Sequence, residues 1–235
     1  ESFPNALIQN ISFSVFETWM LYLFLFFIIC FGWYKRYGYF FSALCCIILS
    51  LGYRAHLSNT YKNNSKFIVY NIPAYSAINL IQNTNNVLIT DLELHKNREK
   101  MLFHIQNNWI KHGLENERVL YLSSLSKQHQ LSNLYKTLGA GLYIKGNFIG
   151  LNGKRIYIHN SELSKVFPDK PVFVDYLVIT AKGKMDFNHL RKYFSFNKII
   201  FDSSVSFRKA EYIKEKISNE DIHEVQKHGY FMVEV

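Results

Sequence analysis

Cysteine is scarce in this chain, and its distribution is informative. The 235 residues hold three, Cys30, Cys45 and Cys46, all within two apolar runs near the start. Residues 57–235 hold none, which removes a disulfide framework, a thiolate metal site and a cysteine nucleophile from that region. In lipid a thiol behaves as a small apolar group, so the three cysteines suit a membrane segment. Charge is equally scarce early on: no charged residue lies between Glu17 and Lys35, or between Arg36 and Arg54. The chain opens Glu1-Ser2-Phe3-Pro4 with no basic stretch before the first apolar run, which argues against a secretory signal. The expectation is that further chain lies upstream. Internal repeats, low-complexity tracts and long linkers are missing. So are Gly-x-Gly-x-x-Gly and P-loop patterns, since Gly139-Ala-Gly141 has no Lys-Ser/Thr behind it.

What is abundant is apolar and aromatic surface, at 49% and 17% of residues. Much of that excess falls in the two uncharged runs, read as transmembrane helices of about 18–34 and 37–53. Each spans roughly 25 Å at about 1.5 Å per residue. Trp19 and Tyr22 near one end, and Trp33, Tyr34, Tyr37 and Tyr39 near the other, suit the two interfaces. Lys35 and Arg36 occupy the turn and can snorkel from it. The rival reading, a buried helical hairpin, would show a polar face that these runs lack. Residues 4–16 carry Leu7, Ile8, Ile11, Val15 and Phe16 at helical spacing, either as an interfacial helix or as the end of an earlier span. Residues 1–56 are thus read as the membrane segment and 57–235 as one soluble domain. The basic turn places the loop between the spans in the cytoplasm and the soluble domain on the periplasmic or extracellular face.

In the soluble part, Lys66–Tyr70, Ala77–Ile81 and Val87–Thr90 read as an antiparallel meander. Leu94, Met101, Leu102, Ile105 and Trp109 recur at helical spacing, so the pattern predicts one helix over 94–112. Val119–Leu122 is a short strand, and Asn152-Gly153 marks a hairpin between 147–151 and 154–159. Val172–Thr180 reads as a central strand broken only by Asp175. A helix capped by Asp186, a strand Lys198–Asp202, a helix capped by Ser206 and a last strand Tyr230–Val235 follow. The predicted class is α/β (α+β), layered.

Of the net charge of +9, +8 belongs to residues 57–235, with 24 Lys and Arg against 16 Asp and Glu. A basic surface suits DNA or lipid headgroups, and equally suits a plain solvated surface beside a membrane. The candidate phosphate contacts are Lys182, Lys184, Arg191 and Lys192, with Tyr193 and Phe194 interleaved, and Arg208 and Lys209 at the start of the next helix. Because both groups follow strands, both are expected on one edge of the sheet. The nine histidines include no His-x-x-x-His pair and read as scattered surface residues.

Three stretches resemble the C-terminal end of ComEC-type DNA-internalisation competence proteins. Phe67–Ile81 resembles the opening strand, polar turn and second strand of that family, and Val87–Asp91 its third strand with a terminal Asp. Asp175–Thr180 resembles the strand that delivers a His-x-His-x-Asp-His metal motif in active members. The resemblance implies a metallo-β-lactamase-like domain on the outer face of a polytopic channel that passes one DNA strand through the inner membrane. Where the motif should begin, this sequence has Ala181, Gly183, Met185 and Asp186 at the ligand positions. Three of these cannot bind a hard or borderline metal. The fold is therefore expected to be degenerate, with no metal, no cofactor and no phosphodiester hydrolysis. The partners implied are membrane lipid, single-stranded or duplex DNA, and the upstream channel region. A structural docking domain without DNA contact is one alternative; a residual hydrolase using Asp91, Asp202 and histidines is another.

Overall fold

The structure is a computed structural model that describes residues 14–62, 65–83, 85–106, 108–109, 114, 117–125, 141–161, 163, 168–183, 187–215 and 221–235. It divides into two compact units, Glu1–Asn63 with Trp109–Gly113, and Asn64–Asn108 with Leu114–Val235.

The first unit is a helical hairpin, α1 (Val15–Tyr34) and α2 (Tyr37–Lys62), both long and apolar enough to cross a membrane. A capping box starts α1. The Glu17 amide donates to Ser14 Oγ at 3.2 Å, and the Ser14 amide to Glu17 Oε2 at 2.8 Å, which satisfies two otherwise orphaned donors. Lys35 stops the helix in the left-handed region at φ 50°, donating its amide to the Phe31 carbonyl at 2.9 Å. Ala43 and Cys46 are buried, and Phe16 meets Tyr53 and Phe31 meets Phe40 at ring separations of 4.6 and 5.6 Å. Glu17 is buried and lies 3.6 Å from Arg54 Nε. Most of the interfacial segment expected at 4–16 lies outside the described residues.

The second unit holds the strands β1 (Ser65–Val69), β2 (Ala77–Gln82), β3 (Asn85–Thr90), β4 (Glu117–Tyr121), β5 (Leu142–Lys145), β6 (Phe148–Leu151), β7 (Lys154–His159), β8 (Val172–Ile179), β9 (Phe194–Phe201), β10 (Asp221–Glu224) and β11 (Phe231–Glu234). Among the described residues they form two sheets, β11-β1-β2-β3-β4 and β10-β9-β8-β7-β6-β5. The expected meander is present, with β1–β2 and β2–β3 antiparallel. β4 joins β3 in parallel, and β11 closes the other edge. In the second sheet β7, β8, β9 and β10 are parallel, while β5 and β6 add antiparallel strands across the Asn152-Gly153 hairpin. Asn152 takes φ 45° and Gly153 φ 83°, the pair of positive values that a two-residue turn of this kind needs.

Alternation on each strand separates two faces. Phe67, Ile78, Leu80 and Ile89 of the first sheet share one buried core with Leu151, Ile156, Ile158, Val178 and Ile200 of the second. The far face of the second sheet packs Leu177, Ile179, Ile199 and Phe201 under Leu190, Ala210 and Ile213. Those last three belong to the helices Phe187–Tyr193 and Phe207–Glu215. Each such fully buried side chain contributes about 1.5–3 kcal/mol. β8 is central as expected. Its one acid, Asp175, accepts from the Arg155 amide at 2.9 Å and from Lys154 at 3.4 Å, pinning the start of β7.

The single helix expected over 94–112 is instead broken. Helix Leu92–Lys96 stops at Asn97, helix Arg98–Met101 starts there, and a π turn, Leu102–Gln106, follows. Asn97 takes φ −87° and ψ 87°, outside the helical well, and its side chain accepts from the Lys100 amide at 3.1 Å. An Asn cap competes with helix continuation, and hydrophobic periodicity does not register it. Asn97→Ala is expected to lose about 1 kcal/mol of stability. A thermal-unfolding comparison measures it, and an unchanged midpoint would mean the cap is not used.

Candidate site at the carboxyl ends of the strands

The strand directions bring the carboxyl ends of β3, β7, β8 and β9 together, along with the loop that follows β1. Asp202 follows β9 and is buried. Its two oxygens accept from Ser76 Oγ in the β1–β2 loop and from Ser204 Oγ, the latter at 2.5 Å. Ser204 Oγ in turn accepts from the Ala181 amide at 2.8 Å. Burial is the main reason the Asp202 carboxyl is pushed up to about 6. The two serine hydroxyls oppose that rise, and the charge of Asp91 adds to it. Asp91 follows β3, accepts from the Ser76 amide at 3.0 Å, and binds Lys182 Nζ at 2.7 Å.

Next to Asp202, Ser203 binds the two sheets together. Its Oγ accepts from the Ile72 amide at 2.9 Å and lies 3.1 and 3.2 Å from the carbonyls of Tyr70 and Tyr75. The Ala74 amide donates to the Ser203 carbonyl at 3.2 Å, with Ala74 at φ 69°. Lys209, on the helix after β9, donates to the carbonyls of Ala181 and Gly183 at 3.0 and 2.8 Å. Burial lowers its pKa, and the charge of Asp202 pulls it back up.

The five described members of the six basic residues singled out in the sequence do not share this edge. Lys182 and Lys209 meet here, and both are engaged internally. Arg208 is exposed in the first turn of the helix Phe207–Glu215, next to Lys209. Arg191 and Lys192 lie in the last turn of the helix Phe187–Tyr193. That helix leads directly into the amino end of β9, so these two stand at the opposite end of the sheet. The expectation of a single edge overlooked that a helix between parallel strands returns the chain to the start of the next strand. Lys184, Met185 and Asp186 lie outside the described residues. The reading of all histidines as surface residues also needs correction. His159, at the end of β7, is fully buried, and His95 Nδ1 is 2.9 Å from the Tyr121 hydroxyl.

The described residues at this edge do not fit a dinuclear metal centre. The carboxylates of Asp91 and Asp202 already accept from a lysine, a backbone amide and two serine hydroxyls. The His159 ring fills the space a side chain at position 183 would take. Among the described residues no group of three or more His, Cys, Asp or Glu converges. Residues 67–235 match the family model of the ComEC C-terminal domain. The chain belongs to that family. No curated protein and no solved structure matches it. As a ComEC protein it is a membrane protein of DNA uptake in natural competence. Sequence reasoning reached Asp91, Asp202, Lys182 and Lys209 at this edge but missed Ser76, Ser203 and Ser204. The run Asp202-Ser-Ser-Val-Ser206 directly after a buried strand was the available signal, since such hydroxyls satisfy polar groups where strands end.

Proposed function

We propose that the region 57–235, which contains the ComEC C-terminal domain match at 67–235, handles DNA without cleaving it. It does so as the soluble module of a multi-pass inner-membrane uptake channel, on the periplasmic or extracellular side. The observation that carries this reading is that both acids of the strand-end edge are taken up internally. Asp91 pairs with Lys182 and Asp202 is enclosed by two hydroxyls, which supports a part for both acids in holding the fold rather than as metal ligands or general bases. Arg208 remains exposed at a helix amino terminus, where the helix dipole favours phosphate. The charge of +8 over residues 57–235 adds a field that draws in a polyanion.

The test is binding of labelled single-stranded and duplex oligonucleotides to the full chain in zwitterionic nanodiscs over a salt series. Affinity should fall steeply with salt, and Arg208→Gln should weaken it and lower the salt slope by about one. A second reading, a structural domain that never touches DNA, draws on the internal use of Lys182 and Lys209. It expects no binding at low salt.

A further inference from the structure

The opposite end of the soluble unit is also built in a particular way. β1 starts at Ser65, three residues after α2 ends at Lys62. Three residues of extended chain reach at most about 11 Å. The apolar stretch of α2 ends at His56, and the remaining six residues of helix add about 9 Å. The covalent path alone therefore sets an upper limit of about 20 Å between the apolar end of α2 and the start of β1. Asn152, in the β6–β7 turn, donates to Ser65 Oγ at 2.9 Å and to the Val235 carbonyl at 3.3 Å, so the amino end of β7 lies at this same end. The parallel ladders add the amino ends of β8 and β9.

The surface collected there is basic and apolar together. Lys154, Arg155, Lys170, Arg191 and Lys192 are exposed. Between them Val172 and Phe173 leave 39% and 41% of their surface in solvent at the first positions of β8, where alternation would bury at least one. Of the acids described nearby, Asp175 is held by Lys154 and the Arg155 amide, Asp221 by Lys198 and Glu234 by Lys66, while Asp169 and Glu215 are exposed. Long cationic side chains around an exposed Val-Phe pair match an interface of anionic headgroups over acyl chains.

We propose that this amino-end face docks on the anionic headgroups of the bilayer to which the chain is tethered. The short tether raises the effective concentration of that surface far above that of any soluble partner.

The test places a bimane label at Phe173→Cys in the full chain with Cys30, Cys45 and Cys46 changed to Ala. A second label at Lys96→Cys reports the other end of the domain. Both chains are embedded in nanodiscs containing headgroup-nitroxide lipid. Quenching at position 173 should exceed that at 96 at least about threefold in anionic discs. It should drop toward the value at 96 in zwitterionic discs or with Arg191→Gln and Lys192→Gln together. Equal quenching at the two positions, or quenching indifferent to lipid charge, overturns the proposal. So does displacement of the 173 signal by a soluble oligonucleotide, which would assign the face to DNA. In the unlabelled wild-type chain, amides 172–174 should exchange more slowly in anionic than in zwitterionic discs. Identical exchange would contradict docking without relying on any variant.

Discussion

Gly183→Ala is expected to destabilise the two-sheet unit by about 1–3 kcal/mol, the range in which added atoms force a packed site to shift. A Cβ at this position would stand 2.6 Å from the His159 carbonyl oxygen and 2.9 Å from Nε2 of its ring, and would meet ring carbon Cδ2 as well. The backbone atom among these cannot swing aside. The Thr180 amide and hydroxyl both donate to the His159 carbonyl, at 3.2 and 3.1 Å, and the Gly183 amide donates to the Thr180 carbonyl at 3.2 Å. The turn after β8 is thus built on the end of β7, and displacing it also takes Lys209 off the carbonyls of Ala181 and Gly183. Urea unfolding of the nanodisc-embedded chain measures the change. A variant within about 0.5 kcal/mol of wild type would show that the contact between Gly183 and His159 is not tight. His159→Ala removes the ring contacts and leaves the carbonyl one, so the double variant should lose somewhat less than the sum of the singles, as expected for residues in contact.

The second large effect is carried by Asp202. Its carboxyl is raised to about 6 against a usual value near 4, so between those pH values the folded chain holds a proton that the unfolded chain has released. The associated stability is fully present below about pH 4 and is lost as pH rises through about 6. Two pKa units correspond to about 3 kcal/mol. Asp202→Asn keeps the volume, removes the buried charge and leaves Ser76 and Ser204 a polar partner. At pH 7.5 it should be more stable than wild type by about 1–3 kcal/mol, with the difference shrinking below pH 5. Asp202→Ala takes the acceptor from the buried Ser76 hydroxyl and the half-buried Ser204 hydroxyl and should fall about 2 kcal/mol below the Asn variant. Parallel pH–stability curves for wild type and Asp202→Asn would contradict the burial of this charge.

These two residues also show where the sequence could be read and where it could not. Alternating or continuous apolar runs announced β1, β2, β3, β8 and β9, because a buried strand leaves its period in the sequence. Asn152-Gly153 announced its hairpin because two consecutive positive φ values tolerate few other pairs. β10, Asp221–Glu224, was invisible: it is four residues long, largely polar, and defined by pairing with β9 rather than by its own pattern. The break at Asn97 was hidden for the opposite reason, since the apolar spacing continues across it. In the candidate site, Asp91 and Asp202 could be found as acids that end apolar strands. Their partners could not, because Ser76 and Asp202 are 126 residues apart and only the stacking of two sheets brings them together. Arg191 and Lys192 were grouped with Lys182 by nearness in sequence, whereas the helix that carries them takes them to the other end of β9.

In the proposed function the domain handles DNA and its strand-end acids serve the fold rather than catalysis. The most direct test is the salt series of oligonucleotide binding to the full chain in zwitterionic nanodiscs, with wild type and Arg208→Gln side by side. The account predicts binding that weakens by at least about tenfold between 50 and 200 mM salt, with a shallower slope for the variant. Absence of binding at 50 mM salt, for both single-stranded and duplex oligonucleotides, would contradict it and leave the domain a structural part of the channel.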